Sequence, residues 1–419
     1  MKNLNEPIYK SSFAFVKFLK WFVFSILTGF LIGQVCALFY YGLSMATSFR
    51  ESHGNIIIAL PLIGLFIVWI YRFRNNGKMP STNLVLSSIH SNDSLPIRTM
   101  PLIFISTILT HLFGGSAGRE GAALQMGGSI GNDIARLLKF DDKDRRIFIM
   151  CGMSAAFSAL FGTPMTASIF AIEVVSVGIM YYSALVPCVA AALVSSAVSR
   201  NYGIVPEMFY VANIPEVGML TMGKICILGV CCALVSILFC IIMMMAEKYL
   251  EKWFKNPYLK IFLTGTVIVI LTYMLGSRDY NGAGMNIIEK AIEGDVKPEA
   301  FFLKIVFTAL TLASGYKGGE IVPTLFVGAT FGCIMGQILG ISPELCASVS
   351  MGAVFCGVTN CPISSLLLCL ELFGMNAMPY YLAAIAISYM LSGYYSLYHS
   401  QKIMYSKYKS EYINITANG

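Results

Sequence analysis

The chain has 419 residues, of which 57% are hydrophobic and only 12% are charged. Because soluble domains carry about 25% charged residues, this composition excludes an ordinary soluble protein. The net charge is +7. We attribute it to Lys and Arg that flank membrane spans on the cytoplasmic side, rather than to a nucleic-acid-binding surface.

Long segments of the chain contain no Asp, Glu, Lys or Arg. A helix needs about 20 such residues to cross a bilayer, and the sequence therefore predicts an all-α polytopic membrane protein. The first segment is too long for a secretory signal and lacks a small-residue cleavage site. The uncharged segments are 21–49, 54–71, 147–172, 174–199, 225–246, 261–277, 321–343, 345–370 and 372–401.

Lysines flank both ends of this apolar region. Lys17 and Lys20 precede its first segment, and Lys402, Lys407 and Lys409 follow its last one. Positive residues favour the cytoplasmic side, so we expect both termini to be cytoplasmic.

Shorter apolar segments, 100–118 and 121–132, flank Arg119 and Glu120 and are interrupted by glycine. Such breaks predict discontinuous helices. Irregular backbone at membrane depth is tolerated only where protein or a water-filled cavity surrounds it. This pattern favours a transporter or channel over a receptor or anchor.

Two segments of the first half recur in the second half. GSAGREGAALQMGG and SGYKGGEIVPTLFVG align with a shift of 200 residues, which pairs Glu120 with Glu320. MSAAFSALFGTPMTASIFAIE and GAVFCGVTNCPISSLLLCLE align with a shift of 198, which pairs Glu173 with Glu371. Two successive matches at nearly the same shift predict two related halves.

We place these halves at 1–203 and 217–410, with a link at 204–216 and a short tail at 411–419. Transporter halves commonly hold the substrate site at their interface near mid-membrane. The sequence alone leaves open whether the repeat is parallel or inverted.

The glycine-rich breaks at 114–121 and 314–321 each precede an apolar helix. Backbone N–H groups at helix starts can bind a small anion without a full positive charge. Glu120 and Glu320 lie at these starts, and a carboxylate at membrane depth is a functional candidate. An ionised Glu can displace the anion, whereas a protonated one leaves the site open. The alternative is a Glu that only complements the helix dipole, paired with Arg119 or Lys317.

Other polar residues are given structural roles. Glu173 and Glu371 each follow a proline by nine residues, and we interpret them as buried carboxylates that cap neighbouring helix starts. His111 and His399 are interpreted as packing or surface residues. The 12 cysteines lack metal-ligand spacing and are interpreted as small buried hydrophobes.

The string GSAGREG resembles the signature GxSxGREGP of the CLC family, and SGYKGGEIVP resembles the second-half signature GGxFxP. The resemblance spans nearly the whole chain. It implies a CLC-type fold of two inverted halves with many tilted and discontinuous helices, assembled as a homodimer with one pathway per subunit. It implies transport of a small inorganic anion, fluoride or chloride, and protons.

The resemblance also assigns roles to individual residues. Glu120 corresponds to the gating glutamate, and Tyr398 fits the anion-coordinating tyrosine because SLY aligns with the family's PLY. The remaining residues expected at the anion site are Gly118, Arg119, Gly121, Glu320, Ile321 and Thr82.

Several departures from the chloride-type pattern resemble the fluoride/proton antiporter branch. The motif GSGIP is replaced by STNLV, which places Thr82 at the anion-binding serine, or Ser81 after a one-residue shift. Val174 stands where chloride/proton exchangers have an internal proton-transfer glutamate. Glu320 occupies a position that is usually apolar. The sequence thus favours a fluoride/proton antiporter that exports fluoride.

Two alternatives remain. A chloride channel or chloride/proton exchanger is supported by the general signature and by the hydroxyl at Thr82. A membrane enzyme or receptor is disfavoured because the chain shows no nucleotide loop, metal cluster or nucleophile–base pair. We therefore expect no enzyme activity, cofactor or metal. The short tail, without paired regulatory (CBS) domains, suits the inner membrane of a bacterium.

Overall fold

The computed structural model describes residues 5–75, 79, 81–91 and 95–418. Within these described residues, eight α-helices lie before the predicted link. They are α1 Asn5–Ser52, α2 Leu60–Asn75, α3 Thr82–His90, α4 Thr99–Leu112, α5 Glu120–Leu137, α6 Asp142–Phe161, α7 Pro164–Glu173 and α8 Leu185–Asn201. Short 3-10 helices cover Gly54–Ala59 and Tyr182–Ala184.

Eight more α-helices follow the link. They are α9 Met219–Trp253, α10 Pro257–Met274, α11 Met285–Ile292, α12 Ala300–Ser314, α13 Ile321–Leu339, α14 Pro343–Thr359, α15 Pro362–Phe373 and α16 Met378–Leu391. Six helical stretches of the described chain are long and apolar enough to cross a membrane: Phe15–Ser52, Gly54–Asn75, Tyr182–Asn201, Met219–Trp253, Pro257–Met274 and Ile321–Leu339. The predicted polytopic all-α architecture is confirmed.

Helix ends follow the same local rules in both halves. Helix α6 ends at Gly162, which has φ 72°, and Pro164 opens α7. Helix α14 ends at Asn360, which has φ 58°, and Pro362 opens α15. Left-handed residues terminate helices, and proline suits a first helical turn because its missing N–H has no partner there. Each half therefore turns at the same place.

The helices of each half pack in the same order. Helix α6 contacts α5, α7 and α8, and α14 contacts α13, α15 and α16 in the same way. Small residues allow close approach: a Cβ added to Gly127 would lie 2.1 Å from the carbonyl oxygen of Gly152, and one added to Gly332 would lie 2.2 Å from that of Cys346. Such small-residue contacts are typical of helix packing in membranes. Helices α6 and α14 form the buried centre of their halves.

A contact between the halves shows that the repeat is inverted. Glu173, at the end of α7, accepts hydrogen bonds from the start of α15, and Glu371, near the end of α15, accepts them from the start of α7. The two helices are therefore antiparallel, as a CLC-type inverted repeat requires. The boundaries 1–203, 204–216 and 217–410 stay predictions, and residues 1–4 lie outside the described chain.

A small sheet adds an element that the sequence did not predict. Strand β1 (Ser176–Val177) pairs in parallel with β2 (Lys402–Tyr405), which pairs antiparallel with β3 (Tyr412–Thr416). Most of the predicted tail thus folds back onto the second half. Residue 419 lies outside the described chain.

Candidate functional site

The two glycine-rich breaks meet through a pair of backbone hydrogen bonds. The N–H of Gly118 donates to the carbonyl of Gly319 at 2.7 Å, and the N–H of Gly319 donates back at 2.8 Å. The bridge joins Gly118 to Gly319, one residue beyond the partner given by the repeat. A Cβ on Gly121 would lie 2.6 Å from the Gly319 Cα. Only glycine therefore lets the breaks cross this closely, and we call this contact the crossing.

Glu120 is the first residue of α5 and is fully buried. Its Oε2 accepts from the backbone N–H of Arg119 at 3.1 Å, and its Oε1 accepts from Nε of the same arginine at 3.0 Å. Arg119 also pairs with Glu207 at 2.7 Å and lies over the ring of Tyr40. Glu120 is therefore both a helix-start carboxylate and half of an ion pair, so the pairing with Arg119 that belongs to the alternative role is present.

Glu320 is the N-cap of α13, opposite Glu120 across the crossing. Its Oε2 lies 3.0 Å from the position of a Cβ on Gly121. That oxygen is buried and has no hydrogen-bond partner among the described residues. A buried polar atom without a partner is uncommon and calls for an explanation. Ile321 is the buried first residue of α13, where backbone N–H groups lack helical partners.

The two remaining predicted anion ligands come from other elements. Thr82 opens α3, is buried, and accepts a hydrogen bond from Nε2 of Gln125 at 3.1 Å. Tyr398 lies in the loop after α16, and its hydroxyl is buried without a partner among the described residues. The Oδ1 of Asn83 accepts from the N–H of Ser400 at 3.2 Å. This bond ties the tyrosine loop to the start of α3.

Three helix starts and one hydroxyl-bearing loop thus supply hydrogen-bond donors: α3 at Thr82, α5 at Glu120, α13 at Ile321, and the loop at Tyr398. Gln125 belongs to this set and was missed from the sequence. The signal was present, because an isolated polar side chain in an apolar membrane segment is a functional pointer. Glu207, the second partner of Arg119, was also missed.

Two water-accessible cavities approach the crossing. The Glu320 vestibule, about 220 Å³, is lined by Ser81, Glu247, Glu251, Lys260, Lys317, Glu320 and His399, among others. The Arg119 vestibule, about 540 Å³, is lined by Tyr40, Arg50, Glu51, His111, Arg119, Glu207 and Arg278, among others. Neither vestibule is lined by Glu120, which lies buried between them.

The vestibules lie at opposite ends of α10. Lys260, near the start of this helix, lines the Glu320 vestibule, and Arg278, just past its end, lines the Arg119 vestibule. The 18 residues of α10 correspond to about 27 Å of rise, which is close to the hydrocarbon thickness of a bilayer. Ser81 faces a vestibule, whereas Thr82 is buried beside Gln125.

The capping roles expected for Glu173 and Glu371 are confirmed, but only Glu173 is buried as expected, and Glu371 is half-buried. Glu173 accepts from the backbone N–H groups of Ile363 and Ser364, at 3.1 and 2.8 Å, and from the Ser364 hydroxyl. Glu371 makes the corresponding bonds to α7, at 2.9, 2.8 and 2.6 Å. Val174, where an exchanger would carry a second carboxylate, is buried and apolar.

The histidines and cysteines occupy varied positions. His111 is buried against the carbonyl of Gly118, and His399 is partly exposed beside Glu247. Ten of the 12 cysteines are buried and the other two are partly buried, which confirms their interpretation as small hydrophobes. Within the described ranges no cluster of three or more His, Cys, Asp or Glu has a geometry that could hold a metal ion.

Comparisons of this chain with known proteins agree with the fold and the site geometry described above. The family described as "Voltage gated chloride channel" matches residues 63–393. A "Chloride/fluoride channel protein" from Pseudomonas syringae pv. tomato is 32% identical over 93% of this chain and 88% of its own length.

Solved structures agree as well. The crystal structure of a CLC-type fluoride/proton antiporter matches with a TM-score of 0.89 and 30% identity, covering 92% of this chain and 98% of that one. A slow cyanobacterial chloride/proton antiporter matches at 0.79 with 18% identity, covering 89% of this chain and 94% of that one; this second match shows the fold. The chain belongs to the CLC family of voltage-gated chloride channels and related anion transporters.

Proposed function

We propose that this protein exchanges fluoride for protons and exports fluoride. One observation carries the proposal: the carboxylate of Glu320 lies beside the start of α5, where Glu120 is buried. Relatives named a chloride/fluoride channel protein and a CLC-type fluoride/proton antiporter support it.

Glu120 is the gate and proton carrier in this proposal. Ionised, it occupies the positive end of α5 and competes with the anion for backbone N–H groups. Protonated, it loses that attraction and swings away from the anion position. Arg119 holds the ionised carboxylate and is itself anchored by Glu207. Anion movement and proton movement are then coupled through one side chain.

Glu320 stabilises the protonated form of Glu120. Two buried carboxyl groups in close proximity do not both ionise readily, and one shared proton allows a hydrogen bond between them. The unpartnered Oε2 of Glu320 faces the start of α5, where such a bond would form. This pairing takes the place of the internal glutamate that is absent at Val174.

The anion ligands are short-range hydrogen-bond donors. They are the hydroxyls of Thr82 and Tyr398 and the backbone N–H groups of Gly121, Glu320 and Ile321. The N–H of Arg119 joins them when the Glu120 carboxylate that it now binds moves away. The N–H of Gly118, also expected at the anion site, is bonded to the Gly319 carbonyl and shapes the crossing instead. Fluoride is small and accepts hydrogen bonds strongly, so hydroxyl and N–H donors can replace its water. In this proposal no covalent chemistry takes place, and the protein is not an enzyme.

A chloride channel or chloride/proton exchanger is the second candidate. It is favoured by the hydroxyl groups of Ser81 and Thr82 at the start of α3, which replace the serine of the chloride-type motif. Large single-channel chloride currents would support it.

We further propose a homodimer in a bacterial inner membrane with both termini cytoplasmic. The apolar side chains of Met165 and Ile363, at the antiparallel starts of α7 and α15, are exposed and available for a partner subunit. Cross-linking in membranes through cysteines placed at these positions tests the dimer.

The test of function is ion flux from liposomes that hold the purified protein, with fluoride and chloride measured separately and external pH recorded. We expect fluoride efflux with proportional proton uptake and little chloride flux. Glu120→Gln is expected to abolish coupled transport, and Glu320→Ala to slow turnover by about tenfold or more. Unchanged proton coupling in Glu120→Gln, or normal fluoride flux in Glu320→Ala, would contradict the mechanism. Comparable chloride flux in the wild type would favour the second candidate.

A further inference from the structure

The carboxylate of Glu247 lies in the Glu320 vestibule and has an oriented partner. Glu247 belongs to α9, and its Oε2 lies 3.5 Å from Nε2 of His399. Both side chains are about half exposed, at 54% and 42%. Glu247 and Glu320 line the same cavity, so solvent in that cavity can connect them.

The hydrogen-bonding role of the His399 ring is fixed by Asn418. The Oδ1 of Asn418 accepts from the backbone N–H of Ser396 at 2.9 Å, which identifies its other atom as the amide nitrogen. That nitrogen donates to the Ser396 carbonyl at 2.8 Å and contacts Nδ1 of His399 at 2.9 Å. Because Nδ1 accepts a hydrogen bond, the ring carries its proton on Nε2, which points at Glu247.

The backbone holds Asn418 in this position. Strand β3 leads into it, its N–H donates to the Tyr394 carbonyl at 3.0 Å, and its φ is 64°. Asparagine tolerates this left-handed conformation better than most residues. The folded tail therefore reaches back to the vestibule that ends at Glu320.

The two glutamates that end α7 and α15 are not free for proton transfer. Glu173 and Glu371 are occupied as helix caps, and position 174 is valine. The charged and titratable groups that face Glu247 in the vestibule are Glu251, Lys260, Lys317, Glu320 and His399. Of the two glutamates on α9 that line this cavity, only Glu247 has an oriented histidine.

We propose that Glu247 is the proton-exchange carboxylate of the Glu320 vestibule, with His399 and Asn418 as its positioning residues. The Glu247 carboxylate takes a proton from bulk solution and releases it through vestibule solvent to the carboxylate of Glu320, and the reverse transfer restores both groups. The Nε2–H of His399 holds the Glu247 carboxylate toward the cavity throughout. This inference rests on the proposed fluoride/proton exchange and adds the route by which protons reach its central pair.

The test measures proton flux, fluoride flux and their ratio in liposomes from pH 5 to 8 for Glu247→Gln and for its matched control, Glu251→Gln. Glu251 lies one turn further along α9, lines the same vestibule, and has no ion pair within the described chain. Glu247→Gln is expected to slow proton-coupled fluoride transport about tenfold or more and to change its pH profile. Glu251→Gln should match the wild type. Equal behaviour of the two variants would overturn the proposal.

The substitution Asn418→Asp keeps the shape of the side chain and tests whether Asn418 orients the His399 ring. A carboxylate cannot donate to Nδ1, so the ring must place a proton there, and its interaction with Glu247 changes. We expect the pH profile to shift toward that of Glu247→Gln. Asn414→Asp adds the same charge on the exposed part of β3 and should leave the profile unchanged. Identical profiles for the two Asp variants would remove Asn418 from the mechanism.

A wild-type protein that moves no coupled fluoride would refute the proposed function itself, whereas normal wild-type coupling with unaffected Glu247 variants would refute this inference alone.

Discussion

At the scale of single residues, the crossing depends on the absence of side chains. Gly118 and Gly319 exchange backbone hydrogen bonds, and Gly121 lies against the Gly319 Cα. Because the two backbones approach this closely, the starts of α5 and α13 lie side by side. Glu120 and Glu320 belong to these two starts. The glycines thus let the Glu320 carboxylate lie beside the start of α5, to which Glu120 belongs.

Gly121→Ala is expected to impair transport strongly. The new Cβ would lie 2.6 Å from a backbone atom and 3.0 Å from Oε2 of Glu320, so the breaks must move apart. Overpacking of this kind costs about 1–3 kcal/mol, and even a small separation weakens the carboxyl pairing. Fluoride turnover in liposomes and thermal melting measure the two effects. Gly223→Ala, on an open face of α9 with nothing within 4 Å, is the control and should transport normally. Wild-type turnover in Gly121→Ala would show that the close crossing is not required.

At the scale of helices, α7 and α15 stabilise each other through exchanged caps. Each start has N–H groups that lack an acceptor within the helix, as in the first turn of any α-helix, and each receives a carboxylate from the far end of the other helix. The negative charge also complements the partially positive helix start. The pair therefore connects the two halves at a second point besides the crossing.

Glu173→Ala and Glu371→Ala are expected to lower the melting temperature by similar amounts. Each change leaves helix-start N–H groups without their acceptor, and hydrogen bonds to a charged group contribute about 1.5–3 kcal/mol. Glu344→Ala, which removes a half-buried carboxylate whose bonds to the link at Ala212 and Asn213 are exposed to solvent, should have a smaller effect. The proton-to-fluoride ratio should stay at the wild-type value in folded Glu173→Gln. Loss of coupling in that variant without loss of stability would assign Glu173 to proton transfer instead.

Much of this arrangement was predictable from the sequence. The repeat paired Glu120 with Glu320 and Glu173 with Glu371 in the sequence, and the site was expected at the interface of the two halves. Gln125, Glu207 and Asn418 were not predicted, since each acts through a partner 19 or more residues away in the chain. The register at Gly319 and the burial of Thr82 also depend on how the loops pack, and the repeat does not encode that packing.

The sheet was missed for a related reason. Strands β2 (402–405) and β3 (412–416) are short, and β1 has only two residues. Short strands carry little periodicity of their own, and their pairing partners are set by the helices that bring them together.

At the scale of the whole molecule, two vestibules approach one buried carboxylate from opposite ends of α10. An open channel would join them, whereas a coupled exchanger must keep them apart and admit the anion from one side at a time. Glu120 lines neither vestibule. Protein that includes the titratable Glu120 therefore separates the two vestibules, an arrangement that fits the proposed exchange.

This arrangement predicts that cysteines in the two vestibules react from opposite sides of the membrane. Glu51→Cys lies in the Arg119 vestibule and Glu251→Cys in the Glu320 vestibule, and both positions are exposed. Cys226 and Cys231, the two native cysteines that are only partly buried, are first replaced by Ser. In intact cells a membrane-impermeant maleimide should label position 51 and spare position 251, and permeabilisation should expose both.

The lysines near both ends of the chain place the Glu320 vestibule on the cytoplasmic side in this expectation. Labelling of both positions from the same side would contradict the two-vestibule pathway, whereas the reversed pattern would keep the pathway and invert its orientation in the membrane.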